Sequence, residues 1–113
     1  MDNMQLHSMK EIKIVIEGEH LHFVTNVLDE IEASGYTIFN NISGKGHGGF
    51  QKGHLMYNDT NSLQMVLSIV PEEKVEPILY ALKPFLECHS GSLFVLDTNV
   101  LRQDRFATKC VEI

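Results

Sequence analysis

The chain has no tryptophan, three prolines and only two cysteines in 113 residues. Cys88 and Cys110 are too few for a disulfide framework, and they lack the CxxC spacing of a metal or redox motif. Both are expected to be reduced thiols. No apolar run approaches the ~20 residues that span a bilayer. Residues 1–10 also lack the apolar core of a secretory signal, so the expected compartment is the cytoplasm. Basic residues are scarce too: nine Lys+Arg stand against fifteen Asp+Glu, for a net charge of −6. A nucleic-acid binder normally carries a basic footprint, and that class is disfavoured. A small anionic ligand remains open, because a binding site is local.

What is present is concentrated in one stretch. Residues 44–54 read GKGHGGFQKGH and hold five of the eight glycines, with two histidines and two lysines. Each glycine loses much backbone entropy on ordering, so this is neither a good helix nor a good strand. It reads either as a plain connector or as a loop whose backbone N–H groups and lysines cradle an anion.

On both sides the pattern is regular. Residues 11–17 alternate, with Ile12, Ile14 and Ile16 on one face, and read as a strand. Val15 suggests that the opposite face is covered as well. Residues 20–33 carry Leu21, Val24, Val27, Leu28 and Ile31 on one helical stripe. Ser34-Gly35 supplies the stop, with Gly35 expected as a left-handed cap. A second strand covers 36–42 and runs into the glycine-rich loop. Residues 55–57 suit a short extended piece, and 58–61 are turn chemistry. A third, strongly apolar strand spans 63–70. Pro71 is expected as the first residue of a second helix reaching about residue 86, with Val75, Ile78, Leu79, Leu82 and Leu86 on its stripe and Pro84 kinking or fraying its last turn. Residues 89–92 form a short loop, 93–97 a fourth strand, and 99–113 a tail.

The order β-α-β-β-α-β predicts an α+β ferredoxin-like sandwich, a single domain with both helices on one face of a four-stranded antiparallel sheet. A chain this small gains from association, and a second apolar sheet face needs a cover. A further copy of the chain is the expected one.

Four stretches in this order resemble the PII signalling family and its PII-like relatives over about residues 11–106. Gly44-Lys45-Gly46 stands where that family has Gly-Phe-Gly at the base of its T-loop. Gln51-Lys52-Gly53-His54 is similar to its Gln-Lys-Gly-His, though displaced. Pro71-Glu72-Glu73 resembles its Pro-Asp-Asp. Residues 90–97, Ser-Gly-Ser-Leu-Phe-Val-Leu-Asp, resemble its B-loop and last strand. The resemblance implies a 1–10 extension, a T-loop over 43–61 and a 99–113 tail. It implies a homotrimer that binds adenine nucleotides between subunits. No Ser or Cys nucleophile stands with a base and an orienting acid at recognisable spacing, so an enzyme is not expected. By position the resemblance assigns the nucleotide to Thr37, to Gly44, Lys45, Gly46, His47 and Gly48, to His89, Ser90, Gly91 and Ser92, and to Arg102 and Arg105. Phe50, Lys52, His54 and Tyr57 fall in the partner-binding part of the loop.

Departures from the pattern sharpen the expectation. Ser92 replaces the B-loop lysine that helps hold a triphosphate, and His47-Gly48 replaces an Arg-Gln pair. A lysine–phosphate contact is charge-assisted, so its loss weakens the hold on outer phosphates. AMP or ADP is therefore favoured over ATP, with bicarbonate or a cyclic nucleotide as candidate co-ligand. Relatives of this kind are linked to bicarbonate or other membrane transporters, which implies a transporter partner and peripheral recruitment to the membrane. A competing reading is a trimeric metal-binding protein resembling the CutA kind, using His47, His54, His89 and Cys88, although no pair has a helical i, i+4 spacing. An ACT-like amino-acid-binding module shares the strand order, but it usually accompanies an enzyme domain and lacks so long a loop here.

Overall fold

The computed structural model describes residues 5–43 and 63–102. Four strands are present: β1 (His7–Glu17), β2 (Thr37–Ile42), β3 (Leu63–Val70) and β4 (Ser92–Val100). Two helices are inserted between them, α1 (Leu21–Ile31) and α2 (Val75–Cys88), each preceded by a single 3₁₀ turn. The sheet order is β2-β3-β1-β4, with every neighbouring pair antiparallel. Each strand–helix–strand unit therefore skips one strand and joins two parallel ones. The right-handedness of such crossovers puts both helices on the same face. This is the ferredoxin-like α+β arrangement that the sequence predicts.

The pleat decides which residues meet those helices. Ile12, Ile14 and Ile16 point one way, and the register sets Ile14 opposite Val66 and Leu93. Together with Val24 and Leu28 of α1 and Ile78 and Leu82 of α2 they form the fully buried core. Each such aliphatic side chain contributes about 1.5–3 kcal/mol on burial. The two polar residues buried in this layer are satisfied: Thr25 Oγ1 donates to the His22 carbonyl at 3.2 Å, and Ser68 Oγ to the Gly35 carbonyl at 2.7 Å.

Several element ends differ from the sequence expectation. β1 starts at His7, so residues 7–10 of the expected 1–10 extension belong to the strand, and Met9 is buried. β4 runs from Ser92 to Val100, into the expected tail. Glu32, rather than Gly35, takes the left-handed conformation that ends α1, at φ 67°. The Ala33 N–H bonds Leu28 O and the Glu32 N–H bonds Asp29 O, both at 3.0 Å, the paired bonds of a Schellman cap. Lys74 reaches across and donates to the carbonyls of Ile31 and Glu32 at 2.9 and 3.0 Å, which satisfies two further helix-end acceptors. Pro71 precedes the second helix in an extended conformation, with the 3₁₀ turn Glu72–Lys74 between. Pro84 does not end α2, which continues to Cys88. Pro84 and Tyr80 both lie on its exposed face, so the N–H that proline lacks is missing on the solvent side of the helix.

The sheet face away from the helices is open. It presents Phe39, Phe94 and Leu96 at 42%, 50% and 41% exposure, with half-buried Val15, Met65, Leu67 and Ile69 between them.

Candidate functional site

The functional residues fall into two groups, at opposite edges of the sheet. The first lies at the β2 edge. The turn between α1 and β2 brings Ser34, Gly35 and Tyr36 beside Thr37, and β3 adds Leu67 and Ile69 from the open face. Thr37 and Leu67 are register partners. Arg102, two residues past the end of β4, completes the lining. The cleft they form has a volume of ≈ 500 Å³. Its floor is aliphatic and its rim offers hydroxyls, backbone amides and a guanidinium. That composition suits a flat apolar ring carrying an anionic group. Among the described residues no carboxylate pairs with the Arg102 guanidinium. The Ser68 hydroxyl, bonded to the Gly35 carbonyl, fixes the turn that forms one wall.

The second group is the short loop before β4, at the other edge. Gly91 has φ 155°, a conformation reserved largely for glycine. A Cβ there would stand 2.9 Å from the Val15 carbonyl oxygen, 3.2 Å from Leu86 Cδ2 and 3.3 Å from Ile16 Cγ2. The loop backbone is thus seated directly on β1. His89 precedes it as the cap of α2: its backbone N–H bonds the Phe85 carbonyl at 3.0 Å, and its Nδ1 contacts the same oxygen at 3.1 Å. Ser90 and Ser92 add hydroxyls but no charge. The Glu17 and Glu19 carboxylates gather around His20, with Glu19 Oε2 3.3 Å from His20 Nε2. The His20 ring lies 4.6 Å from that of His89.

Of the nucleotide residues expected from the sequence, Thr37 and Arg102 come together in one cleft, and His89, Ser90, Gly91 and Ser92 form the separate loop. Gly44, Lys45, Gly46, His47, Gly48 and Arg105 lie outside the described residues, as do Phe50, Lys52, His54 and Tyr57. Among the described residues, neither Cys88 nor His89 joins a group of three metal-ligating side chains. Sequence reading missed Ser34, Tyr36, Leu67 and Ile69 as cleft residues. Leu67 and Ile69 were detectable as the alternate positions of a strand whose other face is core. The His20 ring, at the start of α1, packs edge-on against Phe85 at 5.0 Å.

Three strand spacings separate the two groups, about 14 Å across the sheet. A four-stranded α+β domain with twenty residues between β2 and β3 and two helices on one sheet face defines the class of protein. The chain belongs to the PII family: the family model "Nitrogen regulatory protein P-II" matches residues 9–105. Among solved structures it is similar to CPII, a nitrogen regulatory PII-like protein from Thiomonas intermedia K12 bound to ADP, AMP and bicarbonate. The identity is 43% over 94% of this chain and 100% of that one, with a TM-score of 0.87. The same protein bound to ADP and bicarbonate matches at 43% identity over 92% and 99%, with a TM-score of 0.81. A PII-like signalling protein from Thermus thermophilus shares the fold at 23% identity over 91% and 99%, with a TM-score of 0.74. Among curated proteins none matches the chain.

Proposed function

We propose that this protein is a PII-like regulator that binds an adenine nucleotide, ADP or AMP, between subunits of a homotrimer, with bicarbonate as co-ligand. The observation that carries the reading is the separation of the half-sites. The Thr37–Arg102 cleft and the residue 89–92 loop sit at opposite edges of one sheet, so a single chain does not close a nucleotide site with both. A ring of three chains does, when the β2 edge of one meets the β4 edge of the next. The open apolar face with Phe39, Phe94 and Leu96 supplies the surface that such a ring buries.

In this arrangement the Leu67–Ile69 floor holds adenine, Thr37 and the backbone of 34–36 meet its polar edge, and Arg102 neutralises phosphate. The 89–92 loop of the neighbour offers backbone N–H groups. With serine at position 92 and the Glu17 and Glu19 carboxylates close by, the loop has no cation for a third phosphate, which favours ADP and AMP over ATP. The ligands of CPII from Thiomonas are the same class. Residues 43–61 then serve as the loop that binds or releases a target protein, ordered or released by phosphate contacts. The target proposed is a membrane transporter for bicarbonate or another solute, to which a cytoplasmic trimer is recruited.

Calorimetric titration with AMP, ADP, ATP, cyclic AMP and cyclic di-AMP, each with and without bicarbonate, tests the reading. Binding of ADP or AMP at one site per chain, tightened by bicarbonate, is expected. No binding of any adenine nucleotide would overturn it.

A further inference from the structure

The resemblance assigns His89 to the nucleotide, and an imidazole beside phosphates invites a direct contact. The geometry points instead to His89 as a positioning residue, which fixes the phosphate-binding loop through a stack of rings and does not touch the ligand. The inference rests on the nucleotide reading of that loop.

The His89 ring is held from three sides. It stacks on Phe85 with centroids 4.4 Å apart and planes 20° from parallel. Its Nδ1 faces the Phe85 carbonyl at 3.1 Å. A carbonyl oxygen only accepts, so Nδ1 carries the proton and donates. The His20 ring lies against it at 4.6 Å. The backbone N–H of His89 bonds the same Phe85 carbonyl. Main chain and side chain are therefore both tied to the last turn of α2.

The stack continues beyond α2. Phe85 meets Phe23 of α1 at 5.0 Å and His20 at 5.0 Å. Four rings thus link the start of α1 to the end of α2, directly below the loop. Two residues further on, Gly91 is wedged against the Val15 carbonyl. Residues 89 and 91 are both anchored, and only Ser90 lies between them. A backbone fixed at two points two residues apart presents its N–H groups without an ordering cost at the moment of binding. The surroundings of the ring argue against a phosphate seat: the Glu17 and Glu19 carboxylates cluster on His20 and repel an anion approaching from that side.

Three variants separate positioning from direct contact. His89→Phe keeps a ring on Phe85 and removes any cation. His89→Lys restores a charge for phosphate and removes the ring. His89→Ala removes both. Each is titrated with ADP after its oligomer mass and thermal midpoint are measured, so that a folding defect is seen for what it is. The expected result is ADP affinity within a few-fold of wild type for His89→Phe. A loss of about tenfold is expected for both His89→Ala and His89→Lys, which is what ring contacts of this kind are worth. If His89→Lys binds ADP at least as well as wild type while His89→Phe falls with His89→Ala, the ring is a phosphate contact and the inference is overturned. Three variants that all bind as wild type overturn it equally. A wild-type protein that binds no adenine nucleotide overturns the nucleotide reading itself, and this role with it; if it binds AMP alone, the three variants are titrated with AMP and read in the same way.

Discussion

Replacing Gly91 by alanine tests how tightly the phosphate loop is seated. The new Cβ meets Leu86 Cδ2 at 3.2 Å and Ile16 Cγ2 at 3.3 Å; the partly buried Leu86 side chain can give way more readily than the fully buried Ile16. It also meets the Val15 carbonyl oxygen at 2.9 Å. That oxygen belongs to β1, a strand paired on both sides by β3 and β4, and it has nowhere to retreat. The φ of 155° adds strain that a side chain does not tolerate. Strain of this kind costs about 1–3 kcal/mol and overpacking a similar amount, so the expected destabilisation is about 2–5 kcal/mol. Urea unfolding at one fixed protomer concentration is the assay, because the stability of an oligomer depends on concentration. With a slope of about 2 kcal/mol/M, the midpoint should fall by about 1–3 M. Gly35→Ala is the internal control: its Cβ meets nothing within 4 Å, and loss of unfolded-chain freedom should leave stability unchanged or raised by up to ~1 kcal/mol. A Gly91→Ala midpoint close to that of wild type, or a Gly35→Ala loss as large as that of Gly91→Ala, would refute the argument.

Phe94→Glu places a charge on the open sheet face without entering the core, and light scattering should show the proposed trimer reduced to a monomer of unchanged circular dichroism. Lys74→Met removes both bonds to the Ile31 and Glu32 carbonyls, and chemical denaturation should register a loss of about 1–2 kcal/mol. The Asp97 carboxylate, by hydrogen bond and then by charge, holds the Lys10 ammonium above the usual lysine range. The pair therefore stabilises the fold fully below the ordinary lysine pKa and loses that contribution as pH rises through the elevated one. Between about pH 9 and 12 the wild-type thermal midpoint should fall more steeply than that of Asp97→Asn; parallel curves would show that the pair contributes nothing.

Periodicity carried most of the fold into view. The alternation of Ile12, Ile14 and Ile16 and the stripes of Val24–Leu28 and Ile78–Leu82 spacing are local signals, and each lies in the core as expected. The errors arose where a distant residue decides. Nothing near Ser34-Gly35 announces that Lys74, far along the chain, satisfies the carbonyls at the end of α1 and lets Glu32 take the left-handed position. Residues 7–10 read as polar extension because a strand end needs only partners, and its partners, Asp97 to Val100, lie far along the chain. The general rule for proline predicts a frayed or kinked last turn at Pro84, while α2 continues past it to Cys88. Thr37 and Arg102 could be assigned through resemblance, and the structure adds that they share a cleft. The aliphatic floor from β3 and the ring stack under His89 depend on which elements become neighbours, and no local pattern encodes that.

The central claim is that each nucleotide site is shared between two chains. Arg102→Ala damages the cleft half and Ser92→Asp the loop half, and each homotrimer alone should lose ADP binding. When the two variants are unfolded together, refolded as mixed trimers and titrated, about a quarter of the sites should return, because random pairing around a closed ring joins intact halves that often. A mixture that recovers no binding, although both variants assemble, would show that the site lies within one chain and would contradict the account.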